Sequence, residues 1–259
     1  MGQASRYTSS GLTRGVAVVT GASRGLGRAI ALRLAQDGYR IAVLFERSIE
    51  QAEQVAREIR ATGPEAMTIA VDVSNSKAVD EAVHKIMDQW NRIDILVCNA
   101  GIFSRSSIVD TSDEEFRRTF DVNVMGVFNF FRAVLPIMMS QRSGRVIAIS
   151  SHNAKRGTGA SSKATYAATK NAVESYTKGA AVEAAPYGVT VNCVSPGWIE
   201  TGPPPAERSE LQKKLLEGIP LGRPGEPREV AAAVAFLASE DAGYITGEIL
   251  DINGGTWMD

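Results

Sequence analysis

The chain has few residues of the kinds that build disulfide frameworks or metal centres. Its 259 residues include 2 cysteines and 2 histidines. Cys98 and Cys193 lie far apart in the apolar runs ILVCNAG and VTVNCVSP, where a free cysteine usually behaves as a small buried hydrophobic residue. His84 and His152 are isolated, so the spacing of a metal-ligand motif is missing. The sequence therefore predicts two buried free cysteines and no catalytic metal.

Strong net charge and long apolar runs are also missing. Lysine and arginine number 28 against 29 acidic residues, so no basic surface for nucleic acid or anionic membranes is expected. No apolar run approaches the ~20 residues of a membrane span, and the first fifteen residues lack the apolar core of a secretion signal. We expect a cytoplasmic protein that binds small molecules, with neither nucleic acid nor a membrane as partner.

What the chain does contain is an alternation of strand and helix patterns. GVAVVT precedes RAIALRLAQDG, RIAVLF precedes IEQAEQVAREIRATG, and AMTIAVDV precedes KAVDEAVHKIMDQW. The runs RIDILVCNAG, GRVIAISS, GVTVNCVSPG and GEILDINGG bring the predicted strands to about seven, with later helices over residues 113–141, 165–187 and 228–239. Such alternation is typical of a doubly wound α/β fold, a parallel sheet with helices on both faces.

Two segments fall outside this alternation. Residues 1–14, rich in Ser, Thr, Gly and Arg, are predicted to form a flexible tail before a single domain over residues 15–259. Residues 202–218 contain three consecutive prolines and a short amphipathic stretch. A segment of this kind is typical of a loop or lid, and we predict a substrate lid here.

The first predicted strand ends in the glycine-rich turn TGASRGLG. Gly21, Gly25 and Gly27 lie between this strand and the first helix, where glycine lets the backbone approach a pyrophosphate held by helix N-terminal amides. The spacing G-x-x-x-G-x-G also suits an ordinary tight turn. Its place in the first strand–turn–helix unit of a doubly wound pattern favours dinucleotide binding.

A second candidate motif is YAATK at residues 166–170. Tyr166 and Lys170 are four positions apart in a predicted helix, so both side chains lie on one face. We expect the ammonium group to lower the pKa of the phenol from ~10, so that Tyr166 exchanges a proton near neutral pH. A solvated lysine beside a packed tyrosine is the alternative, which the glycine turn and a serine at the preceding strand end disfavour.

From residue 15 onward, four motifs resemble the short-chain dehydrogenase/reductase family: TGASRGLG, CNAG at 98–101, YAATK, and SPGWIET at 195–201. The resemblance implies a single Rossmann-type domain, hydride transfer between a nicotinamide cofactor and a carbonyl or alcohol, and a homotetramer. Cys98 stands where the family usually has asparagine, although the three residues after it match. The resemblance implies cofactor contacts by Gly21, Ser23, Arg24, Gly25, Leu26, Gly27, Phe45, Asp72, Val73, Asn99, Ala100, Gly101, Tyr166, Lys170, Pro196, Gly197, Ile199 and Thr201.

The same resemblance assigns the catalytic residues as Asn123, Ser151, Tyr166 and Lys170. Ser151 would hold the substrate oxygen beside Tyr166, with Ser150 as an alternative, and Asn123 would order a water relay to Lys170. Next to the matched motifs, Phe103, His152 and Trp198 are predicted to shape the substrate pocket together with Ser151 and Tyr166. A Ser151–His152 hydrolase pair is disfavoured, because adjacent residues on a strand point to opposite faces.

The cofactor preference depends on the end of the second strand. Phe45 occupies the position where NAD-preferring relatives carry an aspartate, and Arg24 can bind a 2′-phosphate through its guanidinium fork. Glu46 opposes this preference unless Arg47 compensates. We predict NADP, with NAD as the alternative.

The family branch that the chain resembles contains ketoacyl-carrier-protein reductases and glucose dehydrogenases. We therefore predict a 3-oxoacyl-type or general carbonyl reductase. The alternatives are a polyol or sugar dehydrogenase of the same family, a nucleotide-sugar epimerase or dehydratase, and a dinucleotide-binding sensor without turnover. The intact Ser151, Tyr166 and Lys170 disfavour the sensor, and the short C-terminal region disfavours the epimerase.

Overall fold

The computed structural model of the protein describes residues 14–104, 106–156, 163–203, 205 and 207–258. The predicted tail lies outside the described residues apart from Arg14. Positions 204 and 206 of the predicted lid also lie outside them.

The apolar, β-branched runs form one parallel sheet with the strand order β3-β2-β1-β4-β5-β6-β7. Three of these strands, β1, β4 and β6, are buried along their whole length, as expected for a sheet covered on both faces. The strand order reverses between β1 and β4, and open α/β sheets bind ligands at such a point. The strands are β1 (Gly15–Val19), β2 (Tyr39–Phe45), β3 (Ala66–Ala70), β4 (Ile95–Cys98), β5 (Gly144–Ile149), β6 (Val189–Pro196) and β7 (Ile249–Ile252).

Helices cover both faces of the sheet, which confirms the predicted doubly wound fold. Apolar stripes of α1, α2 and α9 pack on one face, and those of α3, α5 and α7 pack on the other. The helices are α1 (Gly25–Gln36), α2 (Ile49–Ala61), α3 (Ser76–Trp90), α4 (Asp113–Phe120), α5 (Gly126–Gln141), α6 (Asn153–Arg156), α7 (Ala164–Ala184), α8 (Glu210–Glu217) and α9 (Pro227–Leu237).

The helix predicted over residues 113–141 is present but is not regular. It begins after Ser112, whose hydroxyl accepts a hydrogen bond from the Glu115 amide at 3.1 Å, a normal N-terminal cap. A π-helical turn, Asp121–Met125, then joins α4 to α5. Such a turn contains an extra residue, and it places Asn123 in the interior of the protein.

The same helix is both long and apolar. Asp113–Gln141 is long and apolar enough to cross a membrane, with a mean hydropathy of 1.5 in its most apolar window. Because polar residues interrupt the apolar ones, no unbroken apolar run reveals it. In the structure 56% of that window is buried, and Phe130 and Phe131 are almost fully enclosed in the sheet-facing core. The helix is thus accounted for as a core helix.

Both cysteines are buried and free, as predicted. In the register of the sheet, Cys98 on β4 and Cys193 on β6 flank Ala148, which lies between them on β5. Burial raises the pKa of each thiol, so neither is a thiolate near neutral pH.

Candidate active site

The glycine turn between β1 and α1 has a shape that only glycine allows. Gly21 and Gly25 have positive φ angles of 63° and 55°. A Cβ atom on Gly27 would lie 2.3 Å from the Gly21 carbonyl oxygen, which is an impossible contact. Arg24 precedes α1 without a side-chain cap, and the first turn of α1 has no acidic residue. The amides at this helix end are therefore available to an anion such as a phosphate.

A cleft of about 670 Å³ runs from this turn across the ends of β2 and β3. It brings together most of the residues predicted to bind the adenosine and phosphate groups of a cofactor. These are Gly21, Ser23, Arg24, Gly25, Leu26, Gly27, Phe45, Asp72, Val73, Asn99, Ala100 and Gly101.

A second cavity, of about 250 Å³, continues from the cleft toward β5 and α7. The two share Leu26, Asn99, Gly101 and Ile102, so they form one trough along the carboxyl ends of the strands. Of the predicted residues this second part holds Phe103, Ser151, Tyr166, Lys170, Pro196, Gly197 and Ile199. Thr201 lines neither part, but its side chain lies 3.6 Å from the position of a Cβ on Gly25. A long trough with a glycine-lined phosphate end fits a dinucleotide.

Asn99 is bonded to the glycine turn through Thr20, a residue that the sequence did not point to. The Thr20 hydroxyl accepts hydrogen bonds from the backbone amides of Asn99 and Ala100, both at 2.9 Å. The Asn99 side chain in turn donates to the carbonyl oxygens of Thr20 and Gly21 at 2.9 and 3.2 Å. These bonds fix the end of β4 against the glycine turn.

The two adjacent serines at the end of β5 point to different partners. Ser151 is hydrogen-bonded to the Tyr166 hydroxyl, and its Oγ also accepts a bond from the Asn153 side chain at 3.1 Å. Ser150 Oγ instead donates to the Glu174 carboxylate at 2.7 Å. Both serines line this cavity, but the Ser150 hydroxyl is bonded to α7, so a ligand oxygen can meet Ser151 and Tyr166 together.

The protonation of Tyr166 differs from the sequence-based expectation. Burial raises the pKa of Tyr166 to about 12, and the hydrogen bond with Ser151 only partly offsets this. Lys170 does not lower that pKa, because its ammonium group donates to the Ile149 carbonyl oxygen at 2.7 Å and lies 5.7 Å from the Tyr166 ring centroid. Tyr166 is thus a neutral phenol in this structure, the form that can donate a proton.

Lys170 is itself strongly affected by burial, which lowers the pKa of its ammonium group to about 8. Its side chain lies beside Gly101, where an added Cβ would be 3.5 Å from Nζ. Lys170 thus contacts the wall of the trough between its two parts.

Asn123 occupies a buried position close to Lys170. Its Oδ1 accepts from the Ile102 amide at 2.8 Å, and its Nδ2 donates to the Ile102 carbonyl oxygen and to Thr169 Oγ1, both at 3.0 Å. Asn123 therefore ties the loop after β4 to α7. Its predicted role in a water relay stays a prediction.

Two predicted substrate contacts do not reach the cavity beside Tyr166. Trp198 lines a different cavity with Leu221 and Arg223, and its ring lies 5.2 Å from the Arg208 guanidinium carbon. The His152 amide donates to the Pro196 carbonyl oxygen at 2.9 Å, and this residue lines neither part of the trough. Phe103, by contrast, packs against Tyr166 with ring centroids 4.5 Å apart.

The predicted lid contains α8, none of whose residues is buried. Arg208, just before this helix, forms a two-point ion pair with Glu200 at 2.7 and 3.0 Å. This pair and the stacking of Arg208 on Trp198 connect the lid segment to the end of β6.

No metal site accompanies the trough within the part of the chain that the structure describes. Its histidine, cysteine, aspartate and glutamate residues form no group of three that could hold a metal ion.

A dinucleotide trough that ends beside a serine hydroxyl, a neutral phenol and a buried lysine defines a nicotinamide-dependent oxidoreductase that acts on carbonyl or hydroxyl groups. Residues 21–256 match a family model described as enoyl-(acyl carrier protein) reductase. The chain belongs to the short-chain dehydrogenase/reductase family.

Relatives with curated names are similar in sequence over nearly the whole chain. The 3-oxoacyl-[acyl-carrier-protein] reductase FabG of Staphylococcus epidermidis is 43% identical over 93% of this chain and 98% of its own. The 3-oxoacyl-[acyl-carrier-protein] reductase of Synechocystis is 41% identical over 95% and 98%.

Solved structures show the same fold. A mutant short-chain dehydrogenase/reductase of Serratia marcescens superposes with a TM-score of 0.89 and 36% identity, covering 95% of this chain and 99% of its own. The protein gox2181 gives a TM-score of 0.90 with 34% identity over 95% and 96%.

Proposed function

We propose that the protein reduces the 3-keto group of 3-oxoacyl thioesters with NADPH. The observation that carries this proposal is that Ser151 and Tyr166 line the same cavity, at the end of the trough that fits a dinucleotide. Both hydroxyls can donate to one carbonyl oxygen. The names of the bacterial relatives support a 3-oxoacyl substrate.

The residues of the chain act on the oxygen of the substrate. When bound, the nicotinamide cofactor supplies a hydride to the carbonyl carbon. As negative charge develops on the carbonyl oxygen, Ser151 donates a hydrogen bond and Tyr166 transfers its proton, so that the product is a hydroxyl group. Lys170 lines the same cavity as Tyr166 and would bind the ribose next to the nicotinamide ring.

The test is an assay of purified protein by loss of NADPH absorbance. A 3-oxoacyl thioester such as acetoacetyl-coenzyme A should be reduced, while a 2-enoyl thioester such as crotonyl-coenzyme A should not. The reverse direction is assayed with glucose and other polyols and the oxidised cofactor. If only the enoyl thioester or only polyols are turned over, the proposed 3-oxoacyl substrate is wrong. If no carbonyl or alcohol is turned over, the proposed reductase activity is wrong.

The preference for NADPH is supported by the adenosine end of the trough. Phe45 provides no carboxylate for a ribose 2′-hydroxyl, and Arg24 lines the cleft. Glu46 is ion-paired with Arg47 and Arg118 at 3.1 and 3.3 Å, which offsets its repulsion of a phosphate. NADPH should therefore give the higher kcat/KM, and a preference for NADH would contradict the proposal.

We also propose that the protein is a cytoplasmic homotetramer. Large apolar side chains are exposed on the outer helices α4 and α7, including Phe116, Tyr176 and Val182, and such surfaces are typical of subunit contacts. Two free, buried cysteines suit a reducing compartment. Light scattering should give four times the mass of 27.7 kDa, and a monomer at micromolar concentration would rule out the tetramer.

Residues 202–218 are proposed to close over the substrate. The observations that support a moving lid are the exposure of α8 and its attachment through Arg208. Hydrogen exchange in α8 should be fast in the free protein and slow with cofactor and substrate. Arg208→Ala should raise KM more than it lowers kcat. Slow exchange without ligand that does not change on binding would exclude the lid.

A further inference from the structure

Arg118 reaches the adenosine end of the trough from outside the nucleotide-binding half of the fold. It belongs to α4, yet its guanidinium group spans the ends of β2 and β3. One nitrogen, Nη1, lies 3.0 Å from Ser74 Oγ and 3.3 Å from Asp72 Oδ2, while Nη2 lies 3.3 Å from Glu46 Oε1. Arg118 also lines the cleft. Arg118 therefore bridges the two acidic residues, Glu46 and Asp72, at the edge of the cleft where β2 and β3 end.

Arg118 makes the summed charge of the side chains that line the cleft positive. Among the described residues, those lining the cleft include three arginines, Arg24, Arg47 and Arg118, and two acids, Glu46 and Asp72. Without Arg118 the positive and negative charges would balance. The side chain of Arg47 is 82% exposed and that of Arg118 is 37% exposed, so solvent screens Arg118 less.

Asp72 shows that the bridge is electrostatically effective. Burial by itself would raise the pKa of this carboxyl group, but the hydrogen bonds from Ser74 and the charge of Arg118 outweigh burial and hold the pKa below its ordinary value. The Asp72 carboxylate is consequently ionised and paired near neutral pH. The same guanidinium group that contacts Asp72 also contacts Glu46.

We infer that Arg118 is a specificity-determining residue for the cofactor 2′-phosphate, because it neutralises the Glu46 carboxylate at the edge of the cleft. This inference rests on the proposed preference for NADPH. In this arrangement Glu46 does not repel the phosphate, and the Arg24 guanidinium group remains available to bind it. Helix α4 thus contributes to cofactor choice although it lies outside the glycine turn and the second strand.

The test uses two adenosine ligands that differ only in the 2′-phosphate: adenosine 2′,5′-bisphosphate and adenosine 5′-monophosphate. Both are titrated by calorimetry into the full chain. The dissociation constant of the monophosphate divided by that of the bisphosphate reports the contribution of the 2′-phosphate. In Arg118→Ala this ratio should fall by about fivefold, the value of one partly exposed charge pair. Loss of packing alone would weaken both ligands equally and leave the ratio unchanged.

A matched control is the neighbouring Arg117. It pairs with Asp113 at 3.0 Å, its side chain is 72% exposed, and it does not line the cleft. Arg117→Ala removes the same charge from the same helix and should leave the ratio unchanged. An equal fall in both variants would overturn the inference, because net charge alone would then be responsible.

A second variant tests the role of Glu46. If Arg118 acts by neutralising Glu46, then the double variant Arg118→Ala with Glu46→Gln should recover the ratio of the wild-type chain. Failure to recover would overturn this mechanism. A wild-type chain that binds the bisphosphate no better than the monophosphate would refute the preference for NADPH, whereas a wild-type preference that persists in Arg118→Ala would refute only the role of Arg118.

Discussion

Ser150 donates a hydrogen bond from its Oγ to the Glu174 carboxylate at 2.7 Å. The same hydroxyl lies 3.2 Å from the carbonyl oxygen of Lys170. These contacts join the end of β5 to α7, the helix that carries Tyr166. The relative placement of Ser151 and Tyr166 therefore depends on a neighbouring serine whose hydroxyl group is bonded to α7.

The two serines should respond differently to the same substitution. Ser151→Ala removes a donor to the substrate oxygen and should lower kcat by about a hundredfold, with little change in stability. Ser150→Ala leaves the buried Glu174 carboxylate without this hydrogen bond and should cost on the order of 1–3 kcal/mol of unfolding free energy. Steady-state assays and urea unfolding of both variants measure these effects. The opposite pattern would make Ser150 the catalytic serine.

Tyr166→Phe should keep the fold and cofactor affinity but lose most of the turnover. The substitution removes only the hydroxyl, and a positioned proton donor is worth about 10²- to 10⁴-fold in rate. The measurement is single-turnover reduction under conditions where chemistry limits the rate, with cofactor binding followed separately by fluorescence. A rate near that of the wild-type chain would exclude Tyr166 as the proton donor.

Lys170→Met should stabilise the folded protein below pH 8. The pKa of the Lys170 ammonium is about 8 in the folded protein, against an ordinary value of 10.5. Below pH 8 both states are protonated and the wild-type chain carries the full cost of a buried charge, on the order of a few kcal/mol. Losing the hydrogen bond to the Ile149 carbonyl oxygen offsets about 1 kcal/mol of this gain.

The stability gained by Lys170→Met should depend on pH. Between pH 8 and 10.5 the unfolded chain keeps a proton that the folded chain has released, so the stability of the wild-type chain rises with pH. The advantage of the variant should therefore shrink across that range. Urea unfolding of both proteins at several pH values measures the difference in unfolding free energy between them. If this difference stays constant with pH, burial of the Lys170 charge does not destabilise the folded protein.

Gly27→Ala should disrupt the glycine turn and greatly weaken cofactor binding. The added Cβ would lie 2.3 Å from the Gly21 carbonyl oxygen and 2.5 Å from Nδ2 of the Asn99 side chain, so the backbone must shift. Gly179→Ala is the control: this position in α7 has no atom within 4 Å of an added Cβ. Alanine there should stabilise the protein by about 0.5–1 kcal/mol. Thermal melting and cofactor titration test the pair, and unchanged binding in Gly27→Ala would contradict the tight turn.

The fold was predictable because its signals are local and repeated. Each β-branched run is followed by an amphipathic segment of helical period, and the order of such units specifies a parallel sheet. The glycine turn was predictable for a similar reason, since positive φ angles and close backbone contacts select glycine within a few residues. Tyr166 and Lys170 were predictable as neighbours because they are separated by about one helical turn.

Other features depend on contacts that no local pattern contains. Arg118 meets Glu46 across 72 positions of sequence. The pKa of Tyr166 depends on the depth of burial, which outweighed the expected effect of a lysine whose ammonium group bonds elsewhere. His152 and Trp198 are adjacent to motif residues in sequence, but neither lines the trough, because neighbours along a chain face different directions.

The π-helical turn Asp121–Met125 makes the helix over residues 113–141 sensitive to length rather than only to composition. An α-helix turns by roughly 100° per residue, so the extra residue rotates everything after it by about that angle. Arg118 before the turn can thus face the cleft while Phe130 after it faces the core. Deleting a single residue from this turn would rotate one of the two out of place. A change in the length of this segment would therefore disturb either the cleft or the core.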